Sequence, residues 1–203
     1  MKDFNAEVAQ IYDEDIRKKI IGYDVMQELI LNIFKKRLRP ADKVLVIGCG
    51  TGAEILRLES MGLDLNITGI DPSQEMLNHA QTKVSSELIC TSLEDYSKQV
   101  QQDEKFDCVV TILVSHFIKG SAAKDIFFQG IKDLIKPTGF LVGADLMDIG
   151  LADYYQDKLK DALNHLFFPL TNDELELLLV QKGFSSPLYF FNSLGIQAFL
   201  SDY

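Results

Sequence analysis

The sequence predicts an α/β fold, a doubly wound sheet of about seven strands, mostly parallel, with two helices ahead of it. Three observations carry this prediction. Runs that are apolar on both faces, such as Val44-Leu45-Val46-Ile47 and Cys108-Val109-Val110, alternate with segments of helical spacing. The first of these strands ends in a chain of glycines and leads straight into a helix. The last two apolar runs are joined only through Asn192-Ser193-Leu194-Gly195, a link so short that it makes a hairpin and turns the final strand antiparallel.

Residues 4–18 and 23–38 carry helical spacing (Val8, Ile11, Ile16; then Val25, Leu29, Ile33), with Gly22 between them and Pro40 closing the second. Residues 1–40 therefore read as a helical lid on a core of residues 41–203, together a single domain. Lys43 to Ile47 is the first strand and Gly52 to Met61 a helix. Asn66 to Ile70 is a strand, Ser73 to Val84 a helix, and Glu87 to Cys90 a short strand. Phe106 to Leu113 is a strong strand, followed by a helix over about Ala122 to Ile135. Lys136-Pro137-Thr138-Gly139 reads as a turn before a strand from Phe140 to Ala144. Residues 151–168 look helical and aromatic-rich. Thr171 caps a helix with acids in its first turn, which stops at Gly183. Leu188 to Phe191 and Ile196 to Leu200 complete the sheet.

The composition is that of an ordinary globular protein: 203 residues, 47% hydrophobic and 25% charged. No apolar run approaches the ~20 residues of a membrane span. The polar, acidic N-terminus has no signal-peptide core, so a cytoplasmic location is expected. Cys49, Cys90 and Cys108 lack metal-ligand spacing and sit in or next to apolar stretches, which predicts reduced core thiols; His79, His116 and His165 are scattered, so no metal is expected. The formal charge of −10 repels phosphate backbones and argues against a nucleic-acid partner. The basic run Lys35-Lys36-Arg37-Leu38-Arg39 reads as cations at a helix C-terminus. Oligomeric state is left open, a homodimer included.

The functional signal lies at Gly48-Cys49-Gly50-Thr51-Gly52. Glycines at a strand end let a ligand press on the backbone and on a helix N-terminus. Nineteen residues past Gly52, the second strand ends at Asp71, beside the turn, where a carboxylate can accept both hydroxyls of a ribose. Asp71-Pro72 also suits a plain helix start. The register of strand, glycines, helix, strand and acid predicts a nucleoside site. Gly48-x-Gly50-x-x-Ala53 fits a dinucleotide, and Gly48-x-Gly50-x-Gly52 fits S-adenosylmethionine. No chain remains for the substrate domain of a hydride-transfer enzyme, and the closing hairpin is foreign to a dinucleotide fold, so an NAD-dependent oxidoreductase is the weaker alternative.

Taken together, these residues resemble a class I S-adenosylmethionine-dependent methyltransferase, with its Rossmann-like sheet, over essentially residues 4–203. The resemblance rests on Val44 to Gly52; on Gly69-Ile70-Asp71-Pro72-Ser73 with Met76-Leu77; on Thr91-Ser92-Leu93-Glu94-Asp95; on Phe106 to Val110 with Leu113-Val114-Ser115-His116-Phe117; and on Leu134 to Phe140. It implies that Gly48, Gly50 and Gly52, with Thr51, line the methionine portion of the cofactor. It implies that Asp71, followed by Pro72, holds the ribose, that Met76 packs on the adenine, and that Ser92 and Leu93 meet the adenine edge. Leu113 would sit near the methionine end. The opening Phe4-Asn5-Ala6-Glu7-Val8-Ala9 with Tyr12-Asp13 is similar to that of small-molecule members and makes Tyr12 a residue that closes over the cofactor. S-adenosylhomocysteine is the implied product. Two departures stand out: Val46 replaces an acid that reaches toward the methionine amine, and Ser92 replaces the adenine-contacting acid. Gly22 to Met26 and Leu188 to Gly195 are also similar to the carboxy-S-adenosylmethionine synthase group. That group pairs the extra carboxylate of its ligand with an arginine after the fifth strand, whereas this chain has no arginine after Arg57.

Methyl transfer needs alignment and a dry site, plus a base where the acceptor arrives protonated. His116, just past the fourth strand, is the expected catalytic base, with a loop hydrogen bond its structural alternative. Asp145 lies on the same sheet edge, and Tyr154 and Tyr155 are candidate walls for a small-molecule acceptor. Phe167-Phe168-Pro169 reads as packing. A non-catalytic binder or regulator is the remaining alternative, motivated by Val46 and Ser92.

Overall fold

The computed structural model describes residues 5–101, 104–150 and 166–203. Two helices come first, α1 (Ala6–Lys19) and α2 (Tyr23–Arg37). Then follow β1 (Lys43–Ile47), α3 (Ala53–Ser60), β2 (Asn66–Asp71), α4 (Gln74–Ala80), β3 (Glu87–Cys90) and α5 (Leu93–Ser97). The chain continues through β4 (Phe106–Ile112), α6 (Ser121–Leu134), β5 (Ile135–Leu146), α7 (Asn172–Gln181), β6 (Leu188–Ser193) and β7 (Ile196–Asp202). Tyr154 and Tyr155, and the expected helix around them, lie outside the described residues, as does Phe4.

The strands form one seven-stranded sheet in the order β3-β2-β1-β4-β5-β7-β6. All are parallel except β7, which runs antiparallel to both β5 and β6. The alternation of side chains along β1 explains why the sheet is covered twice. Val44 and Val46 face α2 and α3, packing with Met26, Ile30, Phe34, Ile55 and Leu58. Leu45 and Ile47 face α6 and α7, packing with Phe128, Ile131, Leu175 and Leu179. A strand buried on both faces cannot afford polar residues, hence its unbroken apolar run. Strand order reverses between β1 and β4, and a crevice opens at such a point beyond the strand ends.

Several local expectations are corrected. The helix expected over Ser73 to Val84 is shorter, Gln74–Ala80. The segment Lys136 to Gly139 is not a turn between elements but a bulge inside a longer β5: Phe106 pairs with Ile135 and Cys108 with Phe140. Local turn chemistry was overridden by pairing with β4 on both sides of the bulge. Cys90 is exposed rather than a core thiol, because β3 is the sheet's edge, while Cys49 and Cys108 are buried. The basic run at the end of α2 behaves as expected. Arg37 pairs with Asp202 at 2.6 Å, and Arg39 donates to the helix-end carbonyl of Lys36 at 3.0 Å.

At Gly143, in the middle of β5 opposite Phe199, an added Cβ would lie 2.2 Å from the buried ring's Cζ. Gly143→Ala is therefore expected to destabilise the fold by about 1–3 kcal/mol through overpacking, read as a lowered thermal midpoint with the cofactor site intact.

Candidate functional site

The glycine turn is held by both its backbone and Asp71. Gly48, Gly50 and Gly52 have φ of 62°, 50° and 82°, in the left-handed region that disfavours a side chain. Space is also short: a Cβ on Gly48 would lie 2.5 Å from Val114 Cγ2. Asp71, at the end of β2, accepts the Gly50 N–H at 2.9 Å through Oδ2 and the Ser73 N–H at 2.8 Å through Oδ1. Each carboxylate oxygen can accept two hydrogen bonds, so acceptor capacity remains toward the crevice. Burial raises the Asp71 pKa, and the two N–H donors offset this only in part.

The other sequence-predicted positions fall into two groups. Tyr12, Thr51 and Met76 gather around the turn. Met76 is buried, with its Cε 3.3 Å from where a Gly50 Cβ would stand. Tyr12 is half-buried on α1; burial, then the nearby Glu54, Asp71 and Asp13 carboxylates, push its hydroxyl pKa well up. Thr51 donates its hydroxyl to Asp13 Oδ1 at 2.5 Å, and Lys83 binds Asp13 Oδ2 at 2.6 Å. Burial alone would raise the Asp13 carboxyl, but Lys83 and Thr51 outweigh it and hold the group below its ordinary value. Asp13 thus latches α1 across the glycine turn. The sequence showed Asp13 only as the neighbour of Tyr12; its partners lie far along the chain.

The second group is placed less directly. Pro72 is exposed beside Asp71. Ser92 is occupied as the cap of α5: its Oγ accepts the Asp95 N–H at 3.1 Å and donates to Asp95 Oδ2 at 2.8 Å. Leu93 is buried against α6, where a Cβ on Gly130 would meet its Cγ at 3.2 Å. Leu113, just past β4, has φ of 59°, a strained conformation for a leucine, and donates its N–H to Ala144 O at 2.6 Å.

His116 sits in a 3-10 turn, Ser115–Phe117, and is 5% exposed. Its Nδ1 is hydrogen-bonded to Asp145 Oδ1. Asp145 also accepts the Ser115 N–H at 2.6 Å and the Leu146 N–H at 2.8 Å. Burial works to raise the Asp145 pKa, but the adjacent His116 and these hydrogen bonds outweigh it and keep the carboxyl below its usual value. Lys124 of α6, itself buried, donates to Ser115 O at 2.7 Å and fixes the turn from below. Phe117 and Phe167 flank the imidazole, with ring centroids 4.2 and 5.0 Å away. The sequence places Asp145 and His116 separately on one sheet edge; the structure pairs them.

The order of the sheet, the glycine turn, the strand-end acid and the antiparallel last strand define a class. Residues 45–143 match the family model for the methyltransferase domain, and the fold is the Rossmann-like one of solved S-adenosylmethionine-dependent methyltransferases. Among curated proteins it is 22% identical to the carboxy-S-adenosyl-L-methionine synthase of Campylobacter fetus, over 98% of this chain and 93% of that protein. Among solved structures it resembles an S-adenosylmethionine-dependent methyltransferase from Clostridium acetobutylicum, with a TM-score of 0.72 and 16% identity over 97% of both chains. It also resembles the magnesium protoporphyrin IX methyltransferase of Synechocystis with bound S-adenosylhomocysteine, with a TM-score of 0.72 and 15% identity over 92% of this chain and 86% of the other. No helix among the described residues is long and apolar enough to cross a membrane.

Proposed function

We propose that S-adenosylmethionine lies against Gly48, Gly50 and Gly52 with its ribose on Asp71, and that its methyl group passes to a small-molecule acceptor beyond the ends of β4 and β5. The observation that carries this reading is the Asp71 carboxylate, tied to Gly50 at 2.9 Å with acceptor capacity left over. The residues fit the cofactor: a glycine cradle with no side chains, a carboxylate for two hydroxyls, and Met76 beside the turn for an adenine face. Residues 1–40 act as the lid, held to the core through the bonds of Asp13 to Thr51 and Lys83. The formal charge of −10 supports a small molecule over a nucleic acid as acceptor.

The cofactor supplies a methyl group on a cationic sulfur, and the C–S electron pair leaves with the neutral thioether product. The protein's part is alignment and proton transfer. Asp145 fixes the proton of His116 on Nδ1, which leaves Nε2 as the basic nitrogen. There it takes the proton of an O–H or N–H acceptor as the new bond to carbon forms. Formation of S-adenosylhomocysteine across a panel of phenols, amines and carboxylates tests this. Turnover with one of them, lost in His116→Gln while cofactor affinity holds, is the expected result; no turnover with any acceptor would favour a non-catalytic binder.

A second reading, transfer chemistry of the carboxy-S-adenosylmethionine type, is favoured by the near full-length likeness to the Campylobacter protein. The absence of any arginine after Arg57 weighs against it, because a ligand carboxylate in a closed site needs a cation. Tighter binding of carboxy-S-adenosylmethionine than of S-adenosylmethionine would overturn the preference for methyl transfer.

A further inference from the structure

One buried polar pair beside the glycine turn has no structural purpose that its bonds explain. Glu54, in the first turn of α3, is 7% exposed, and Gln27 of α2 is fully buried. Gln27 Nε2 donates to Glu54 Oε1 at 2.6 Å and to the Tyr23 hydroxyl at 3.1 Å. Gln27 Oε1 has no hydrogen-bond partner among the described residues. A buried amide oxygen without a donor is costly, and so is a buried carboxylate; a well-packed apolar pair would serve the fold better. Burial raises the Glu54 pKa despite the Gln27 hydrogen bond and the charge of Arg57 one turn further along α3.

What such a pair lacks defines what it would take: a ligand group that is positively charged and carries several N–H donors. Its place agrees. Glu54 stands two residues past Gly52, and its charge, with that of Asp71, acts on both Cys49 of the turn and Tyr12 above it. Glu54 and Asp71 therefore both lie close to the glycine turn. Gln27 belongs to α2, whose Met26, Ile30 and Phe34 share a cluster with Val46 on one face of β1, and β1 itself offers no acid there.

We propose that Glu54 and Gln27 together bind the α-ammonium of the cofactor's methionine end, Glu54 by charge and Gln27 through its unpaired Oε1. The proposal rests on the reading that S-adenosylmethionine binds at the glycine turn, and it assigns the recognition of the amino-acid end to helices α2 and α3. Because α2 belongs to the N-terminal segment, cofactor binding would then also fasten that segment to the core.

The test uses the full chain and two ligands, S-adenosylhomocysteine and 5′-methylthioadenosine, which shares the adenosine and sulfur but has no ammonium. Glu54→Gln keeps the shape and removes a buried charge, so its thermal midpoint is expected at or above wild type. It is expected to weaken S-adenosylhomocysteine by about tenfold or more in calorimetry and to leave 5′-methylthioadenosine within about twofold. Gln27→Met, which removes Oε1 at similar volume, is expected to shift the same ligand in the same direction by a smaller factor. Equal losses for both ligands, or no loss for S-adenosylhomocysteine, would overturn the proposal. Failure of the wild-type protein to bind either ligand would instead overturn the cofactor-site reading, and this proposal with it.

Discussion

Asp71→Ala is expected to raise the dissociation constants of S-adenosylmethionine and S-adenosylhomocysteine by about 100-fold or more, since two charge-assisted hydrogen bonds to the ribose vanish. Unlike Glu54→Gln, it should weaken 5′-methylthioadenosine as well, because all three ligands share the ribose. The substitution also acts within the protein, leaving the Gly50 and Ser73 N–H groups without their acceptor. A loss of about 1–3 kcal/mol in stability should accompany the loss of binding. Asp71→Asn separates the two effects, because an amide oxygen still accepts an N–H while the charge is gone. The pH dependence has a definite sign. The Asp71 pKa is raised in the folded state, so its ionisation works against folding. That cost is absent below the ordinary carboxylate pKa and grows as pH rises through the folded value. Ligand affinity runs the other way: on acidification it should fall at a higher pH than an ordinary carboxylate would give. Calorimetric titrations at several pH values, with S-adenosylmethionine, S-adenosylhomocysteine and NAD, check all of this. Unchanged affinity in Asp71→Ala, or a preference for NAD, would show that the turn serves another ligand.

The second large effect is expected at the His116–Asp145 pair. Asp145 is 6% exposed and accepts from Ser115, Leu146 and His116, so Asp145→Ala strands three donors at once. A destabilisation of about 3–5 kcal/mol follows, as for other buried pairs broken from one side. Here the pH sign is the reverse of that for Asp71. The Asp145 pKa is lowered on folding, so its contribution is fully present above the ordinary carboxylate pKa. It is lost only as pH falls through the lowered value, so the wild-type margin over Asp145→Asn should shrink only in acid. Thermal melts from neutral pH downward check this. On activity, His116→Gln is expected to lower kcat by about 10²–10⁴ for an acceptor that must lose a proton, with KM little changed. A kcat unaffected by His116→Gln at every pH would reduce the pair to a structural anchor between β4 and β5.

Both predictions draw on residues the sequence displayed, but in different measure. The glycine turn and Asp71 were legible because their signals are local. A strand period, three glycines, a helix period and an acid at the next strand end must fall into register if the chain is to wind this way. The closing hairpin was legible for the same reason, since a link as short as Leu194-Gly195 between Leu188–Ser193 and Ile196–Asp202 permits only antiparallel pairing. Against this, the sequence alone reads Lys136 to Gly139 as a free turn, because the pairing of Ile135 with β4 lies 29 residues away at Phe106. Cys90 was misplaced because nothing local says which strand ends up at the edge.

The amino-acid sequence by itself determined the fold class, the position of the glycine turn and the acid that faces it, because each follows from spacing along one stretch of chain. The tertiary structure alone decided which polar groups meet. Asp13 reaches Thr51 across 38 residues, Gln27 reaches Glu54 across 27, and His116 reaches Asp145 across 29. No propensity or period encodes such pairs. They arise where helices and strand ends are brought together by burial of apolar faces, and buried polar groups must then find partners in whatever neighbourhood packing has made.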